Sequence, residues 1–176
     1  VLNYAGYSFF CCKANNIDVI LTCCGIGKTN ATAATQIMID RLGIDSIIST
    51  GVAGGMSDKL NTLDTVIADR TVFHDITPRF LENYQPHCAE YRADDKMLKT
   101  AVYVMPDAFV GLIISGDAYI DSADKKAELV NAYSPLAVDM ESASIGLCAY
   151  RNNIPFLSVR SISDSADEET TKDPDE

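Results

Sequence analysis

An alternation limits what this chain can become. Short apolar runs recur along it, each bounded by glycine, proline or polar residues, and the stretches between them carry apolar residues at helical spacing. Residues 18–24 (DVILTCC), 44–49, 63–68, 109–114, 136–138 and 156–159 have the length of strands. Residues 30–42, 94–104, 123–132 and 139–150 have the spacing of helices. Strands that alternate with helices predict a layered α/β domain on a largely parallel sheet. Such strands are apolar on both faces because helices cover both.

Residues 7–12 and 18–24, around the polar KANN, read as a hairpin whose second strand is buried on both faces. Gly43 stops the first helix and Ser122 is placed to cap a later one. Residues 77–90 show no period and read as a long surface loop, a kind that often carries function. The acidic end, 168–176, reads as a disordered tail. No repeat or linker interrupts the chain, and 176 residues suffice for one domain with a sizeable core.

Charge and composition exclude several classes of function. The net charge of −11 argues against an electrostatic grip on nucleic acid or anionic lipid. No apolar run approaches the roughly 18 residues of a membrane span, and no basic segment precedes an apolar one as in an export signal. These features predict a soluble, cytoplasmic protein. Its six cysteines show no CxxC and no Cys/His spacing suited to zinc, so buried reduced thiols and no metal are expected. With two histidines, a Ser-His-Asp arrangement has few candidates.

Chemistry concentrates in five stretches. In residues 154–167 (IPFLSVRSISDSAD) a buried strand breaks off into Arg160, Ser163, Asp164 and Asp167. Charge is thereby delivered to the lip of the sheet, where ligands bind in open α/β folds. CGIGKTN (24–30) lacks the full glycine set of a Walker A loop or a dinucleotide fingerprint. It still places a glycine turn before a helix N-terminus, which either offers backbone amides to an anion or hydroxyl or is simply a tight turn. TGVAGG (50–55) signals close backbone approach after a strand. In SGDAYI (115–120), Tyr119 suits either a stacking platform or a core aromatic. In AVDMESAS (137–144), Asp139 suits a helix cap, and Glu141 suits either the helix dipole or a pair of vicinal hydroxyls.

The series GIGK, TGVAGG, FHD, SGDAYI, VDMES and VRSISDSAD, in this order and spacing, resembles the bacterial 5′-methylthioadenosine/S-adenosylhomocysteine nucleosidases of the nucleoside phosphorylase superfamily. The likeness runs from about Tyr7 to Asp167. It implies a three-layer α/β/α sandwich with a central mixed sheet. It also implies hydrolysis of the bond between adenine and a 5′-thio-substituted ribose, without metal or coenzyme, by a homodimer. Carried over residue by residue, Asp164 matches the general acid that protonates N7 of the leaving adenine, and Ser163 the neighbour that holds it. Arg160 matches a residue near the attacking water. Tyr119 matches the aromatic that stacks on the purine, Ile120 the backbone that reads its edge, and Met140 and Glu141 the ribose contacts. Phe73 and the loop after it resemble the segment that lines the alkylthio pocket of the dimer mate. Donation near neutral pH requires the acid to stay protonated, which burial or neighbouring carboxylates such as Asp167 favour.

Two departures follow from the same likeness. The arginine and serine with which the superfamily's phosphorylases hold phosphate correspond to Ser49 and Val52, a poor phosphate clamp that favours water as nucleophile. Val52 also replaces a serine that helps hold that water in some hydrolases. In the family an opening strand precedes this region and brings the glutamate that activates the water, and a final helix follows it; here no Glu occurs before Glu82. The resemblance therefore predicts a chain truncated at both ends, and marginal stability for a sheet that lacks a pairing strand. A phosphorylase of the same fold and a non-catalytic purine-nucleoside binder are the alternative readings.

Overall fold

The computed structural model describes residues 1–166, so Asp167 and the acidic tail lie outside the described residues. In chain order the elements are β1 (Leu2–Tyr4), β2 (Tyr7–Ala14), β3 (Ile17–Leu21), α1 (Lys28–Leu42), β4 (Ile47–Gly55) and β5 (Thr65–Phe73). Then follow α2 (Pro78–Asn83), β6 (Glu90–Arg92), α3 (Asp95–Val104), β7 (Phe109–Ser115) and α4 (Ala123–Tyr133). The last are β8 (Ala137–Asp139), α5 (Ser142–Asn152) and β9 (Phe156–Asp164).

The predicted hairpin is present as β2 and β3, with β1 added to form a small antiparallel sheet. Its turn residues Asn15 and Asn16 both have positive φ, 46° and 66°, which asparagine tolerates and which matches the twist of the paired strands. The expected burial of its second strand is corrected. β3 stops at Leu21, and Ile17 and Leu21 are 67% and 57% exposed. An apolar run is buried only where neighbours cover it, and β2 is the one strand that pairs with β3 among the described residues.

The central sheet is mixed, in the order β6-β5-β7-β8-β4-β9. β9 also pairs antiparallel with β5, Thr65 opposite Ser161 and Ile67 opposite Val159, so five strands close into a ring. Small side chains suit its narrow interior: Ala53, Ala68 and Ala137 pack there with Val66, Ile113 and Ile162. Helices lie on both sides, as the layered reading predicts. Phe156 packs with Ala31 of α1 and Ile145 and Ala149 of α5, while the next residue, Leu157, meets Ala101 of α3. Both are 3% exposed, and burying each contributes about 1.5–3 kcal/mol. Leu129 of α4 covers Leu112, Ile114 and Val138.

Several boundaries differ from the sequence reading because partners, not apolarity, decide where a strand ends. TGVAGG lies within β4, and β9 continues past Val159 to Asp164. The two run parallel from Ile47 opposite Phe156 to Ala53 opposite Ile162, then shift register so that Gly54 faces Asp164. Residues 77–90 are not all loop, since Pro78 opens the short α2. α5 begins at Ser142 rather than Asp139. The cysteines are free, but Cys11, Cys12 and Cys23 are exposed and only Cys148 is fully buried. From Ile47 to Ala53, β4 pairs with β9 alone among the described residues, and Ile48 and Val52 on its open face are each 66% exposed.

Candidate active site

The bulge at Gly54 sets the position of Asp164. A Cβ at Gly54 would lie 2.9 Å from the Ala166 Cβ and 3.2 Å from Asp164 Oδ1, closer than ordinary contact, so glycine alone lets β9 approach. Ser163 Oγ donates to Asp164 Oδ2 at 2.6 Å and lies 3.3 Å from the Ala53 carbonyl, while the Ala166 amide donates to Asp164 Oδ1 at 2.8 Å. Asp164 is thus held at both oxygens, and it stays partly exposed. On the other strand beside Gly54 is Val138 of β8, which places the acid next to the β8–α5 junction.

Tyr119 is 60% exposed in the segment after β7. Burial of its phenol, with the carboxylates of Asp164 and Asp121, pushes its proton affinity up, so the hydroxyl remains a donor. Ile120 is 5% exposed and its side chain serves the core with Leu129, while Met140 is half-buried.

Glu141 stands at the N-cap of α5, and its Oε1 accepts a hydrogen bond from the Gly27 amide at 2.8 Å. The Lys28 amide donates to Asp117 Oδ1 at 2.7 Å. The two amides that open α1, which sequence reading offered to an anion or hydroxyl, are therefore occupied by carboxylates of the chain itself. Asp139 is the cap-like residue it was expected to be, accepting from the Glu141 amide at 3.3 Å and the Ser142 amide at 3.2 Å.

Asp139 also forms the base of the site. Its side chain is 1% exposed, and it accepts from Ser115 Oγ at 2.5 Å, from Ser142 Oγ, and from Arg160 Nε at 2.8 Å. Arg160 is itself 3% exposed and donates a further bond to Ser49 Oγ at 3.0 Å. Its guanidinium does not point to open space; it lies under Gly51, whose Cβ would be 3.7 Å away. Phe73 is likewise internal, edge-on to Tyr91 at 5.9 Å between ring centroids, and only the loop beyond it is exposed. Val52 is open to solvent.

Sequence reading gave no role to Lys28, Asp75 or Asp117, and it did not join Asp139 and Ser49 to Arg160. The first three were visible as members of GIGK, FHD and SGDAYI. Among the described residues, no group of three or more His, Cys, Asp or Glu is arranged to hold a metal ion, and no helix is long and apolar enough to cross a membrane.

A family model described as the phosphorylase superfamily matches residues 2–176. A relative from Listeria welshimeri, named 5′-methylthioadenosine/S-adenosylhomocysteine nucleosidase, is 37% identical over 185 residues, covering 97% of this chain and 79% of the relative. The S-adenosylhomocysteine nucleosidase of Streptococcus pyogenes, solved with 5-methylthiotubericidin, superposes with a TM-score of 0.88 at 28% identity, over 96% of this chain and 75% of that one. The 5′-methylthioadenosine/S-adenosylhomocysteine nucleosidase of S. pneumoniae, solved with the transition-state inhibitor MT-ImmA, superposes with a TM-score of 0.89 at 26% identity, over 96% and 77%. The chain belongs to the phosphorylase superfamily and, within it, to the 5′-methylthioadenosine/S-adenosylhomocysteine nucleosidases.

Proposed function

We propose that the chain hydrolyses the N-glycosidic bond of 5′-methylthioadenosine and S-adenosylhomocysteine, releasing adenine and the 5-thioribose product. The observation that carries this reading is the doubly held Asp164 beside the bulge at Gly54, in a chain of this family. As the bond from ribose C1′ to N9 breaks, its electron pair moves into the purine, and the Asp164 proton passes to N7, so adenine leaves neutral. Water adds to C1′ and gives up a proton to the surrounding solvent, from which Asp164 regains the one it donated. A positioned acid contributes about 10² to 10⁴-fold. Ser163 steadies the acid, Tyr119 supplies the exposed ring for the purine face, and Met140 and Glu141 take the ribose. With one oxygen of Glu141 on the Gly27 amide, the other is left for the hydroxyls. Its negative charge favours the oxocarbenium character of the breaking bond.

Arg160 acts in this reading as a positioning residue, since its guanidinium is bound to Asp139 and Ser49. The ligand is a purine thionucleoside, and the working unit is a homodimer in which the exposed loop after Phe73 faces the partner's alkylthio pocket. Six free thiols fit a reducing, cytoplasmic setting. The test is release of adenine from 5′-methylthioadenosine by the wild type and by Asp164→Asn, with and without phosphate. Expected are phosphate-independent release and a loss of about 10² to 10⁴-fold in the variant. Wild-type rates in the variant would sink the assignment of the acid. A requirement for phosphate, with ribose 1-phosphate chemistry in the product, would make the chain a phosphorylase, and binding without release would make it a binding protein.

A further inference from the structure

The ammonium of Lys28 sits where three loops meet. It donates to Asp75 Oδ2 at 2.5 Å, after β5, and lies 3.7 Å from Asp117 Oδ2, after β7. It also stands 5.5 Å from the centroid of the Phe73 ring. The Asp117 backbone amide donates to the same Asp75 oxygen at 3.0 Å, so Asp75 is tied to the loop after β7 as well as to the lysine. Asp117 then accepts the Lys28 amide, next to the Gly27 amide that holds Glu141. Gly27 leaves room for this, because a Cβ there would lie 3.0 Å from Asp117 Oδ1. Although burial works against ionisation of Asp75, the Lys28 hydrogen bond and the Asp117 amide outweigh it and hold the carboxyl below its ordinary range. Asp75 therefore stays ionised at working pH.

We propose that Lys28, through Asp75 and Asp117, is a positioning residue that sets Glu141 against the ribose hydroxyls of the substrate. The inference rests on the nucleoside-binding role of Glu141 given above and adds the group that governs it. Without the ammonium, the carboxylates of Asp75 and Asp117 lose the counter-charge they share and repel each other. Asp117 then releases the first turn of α1, and the Gly27 amide moves away from Glu141. A displacement of about 1 Å at a positioning contact is enough to cost about 10²-fold. The loss should be confined to recognition of the hydroxyls, because Asp164 is held by other contacts.

The experiment is titration calorimetry with 5′-methylthiotubercidin, whose purine has carbon in place of N7 and so cannot be protonated there for cleavage, and with its 3′-deoxy counterpart. A hydrogen bond to a carboxylate predicts that the wild type prefers the first by about 10- to 100-fold. Lys28→Met should abolish most of that preference while the affinity for the 3′-deoxy ligand changes little, and Lys28→Arg should restore part of it. Asp117→Ala, which removes the acceptor of the Lys28 amide, is the second variant if Lys28→Met fails to fold, and it should show the same selective loss. A variant that weakens both ligands equally and keeps the preference would overturn the proposal, as would a wild type with no preference. Because binding is measured apart from turnover, a wild type that discriminates but releases no adenine refutes the hydrolytic reading and leaves this one standing.

Discussion

Replacing Arg160 by methionine tests how the base of the site is held. The change keeps most of the aliphatic stem and removes the guanidinium from a pair whose side chains are 3% and 1% exposed. Asp139 would remain buried with its charge uncompensated, a situation that typically destabilises by about 3–5 kcal/mol. Its hydrogen bonds from Ser115, Ser142 and the Glu141 amide persist and soften the loss, so the lower end, about 3 kcal/mol, is expected. Urea unfolding followed by circular dichroism reads this directly. With a denaturant slope of about 1–3 kcal/mol per molar, the midpoint should fall by about 1–3 M. Adding Asp139→Asn removes the stranded charge, and the double variant should recover part of the loss, with a coupling energy of about 0.5–3 kcal/mol. A loss below about 1 kcal/mol for Arg160→Met, the behaviour of an exposed ion pair, would refute the reasoning.

Three further outcomes follow from the geometry. Gly54→Ala should lower adenine release by about 10²-fold with the fold retained, because the new Cβ meets Ala166 and Asp164; unchanged turnover would mean that Asp164 is not the acid in this position. Burial holds the His74 imidazole below its usual value, so the unfolded chain takes up the proton first as pH falls. Stability should be full above about pH 6.5 and should decline as pH drops from there through the lower folded value; His74→Asn should flatten that decline in urea midpoints at pH 7.5 and 5.5, and an identical decline in the variant would contradict it. Iodoacetamide followed by peptide mass spectrometry should label Cys11, Cys12 and Cys23 before Cys24 and Cys148. Burial, joined at Cys24 by the charge of Glu141, pushes the last two thiols up and keeps them protonated.

Local chemistry was the most legible part of the sequence. Gly43 does end α1 in a left-handed conformation and Ser122 does cap α4, whereas Asp94, read as the first helical residue, is the cap of α3. What escaped was whatever depends on partners distant in sequence. The polar half of β9 looks like a strand's end until β4 and β5 are beside it. The apolar residues of β3 promise a burial that only a neighbour could supply. The motif glycines announced close approach, but only the structure shows that Gly54 makes way for Asp164 and Gly27 for Asp117. Of the site residues, those at strand ends could be read from charge following apolar runs. The role of Lys28 could not, because its carboxylate partners come from the ends of two other strands.

The ring of five strands also orders events in time. It closes only when Ile47 meets Phe156 and Thr65 meets Ser161, pairings between segments far apart along the chain. Long loops must lose their freedom before such contacts reward it, so topologies of this kind fold more slowly than chains built from local contacts. On a ribosome β4 and β5 emerge long before their partner. Asp164 lies at the far end of that partner strand, so the carboxyl proposed as proton donor takes its place only at the step that completes the barrel. A chain caught before that step carries most of its helices but has Asp164 out of place, and if that residue is the acid, competence to release adenine should appear together with ring closure rather than with secondary structure.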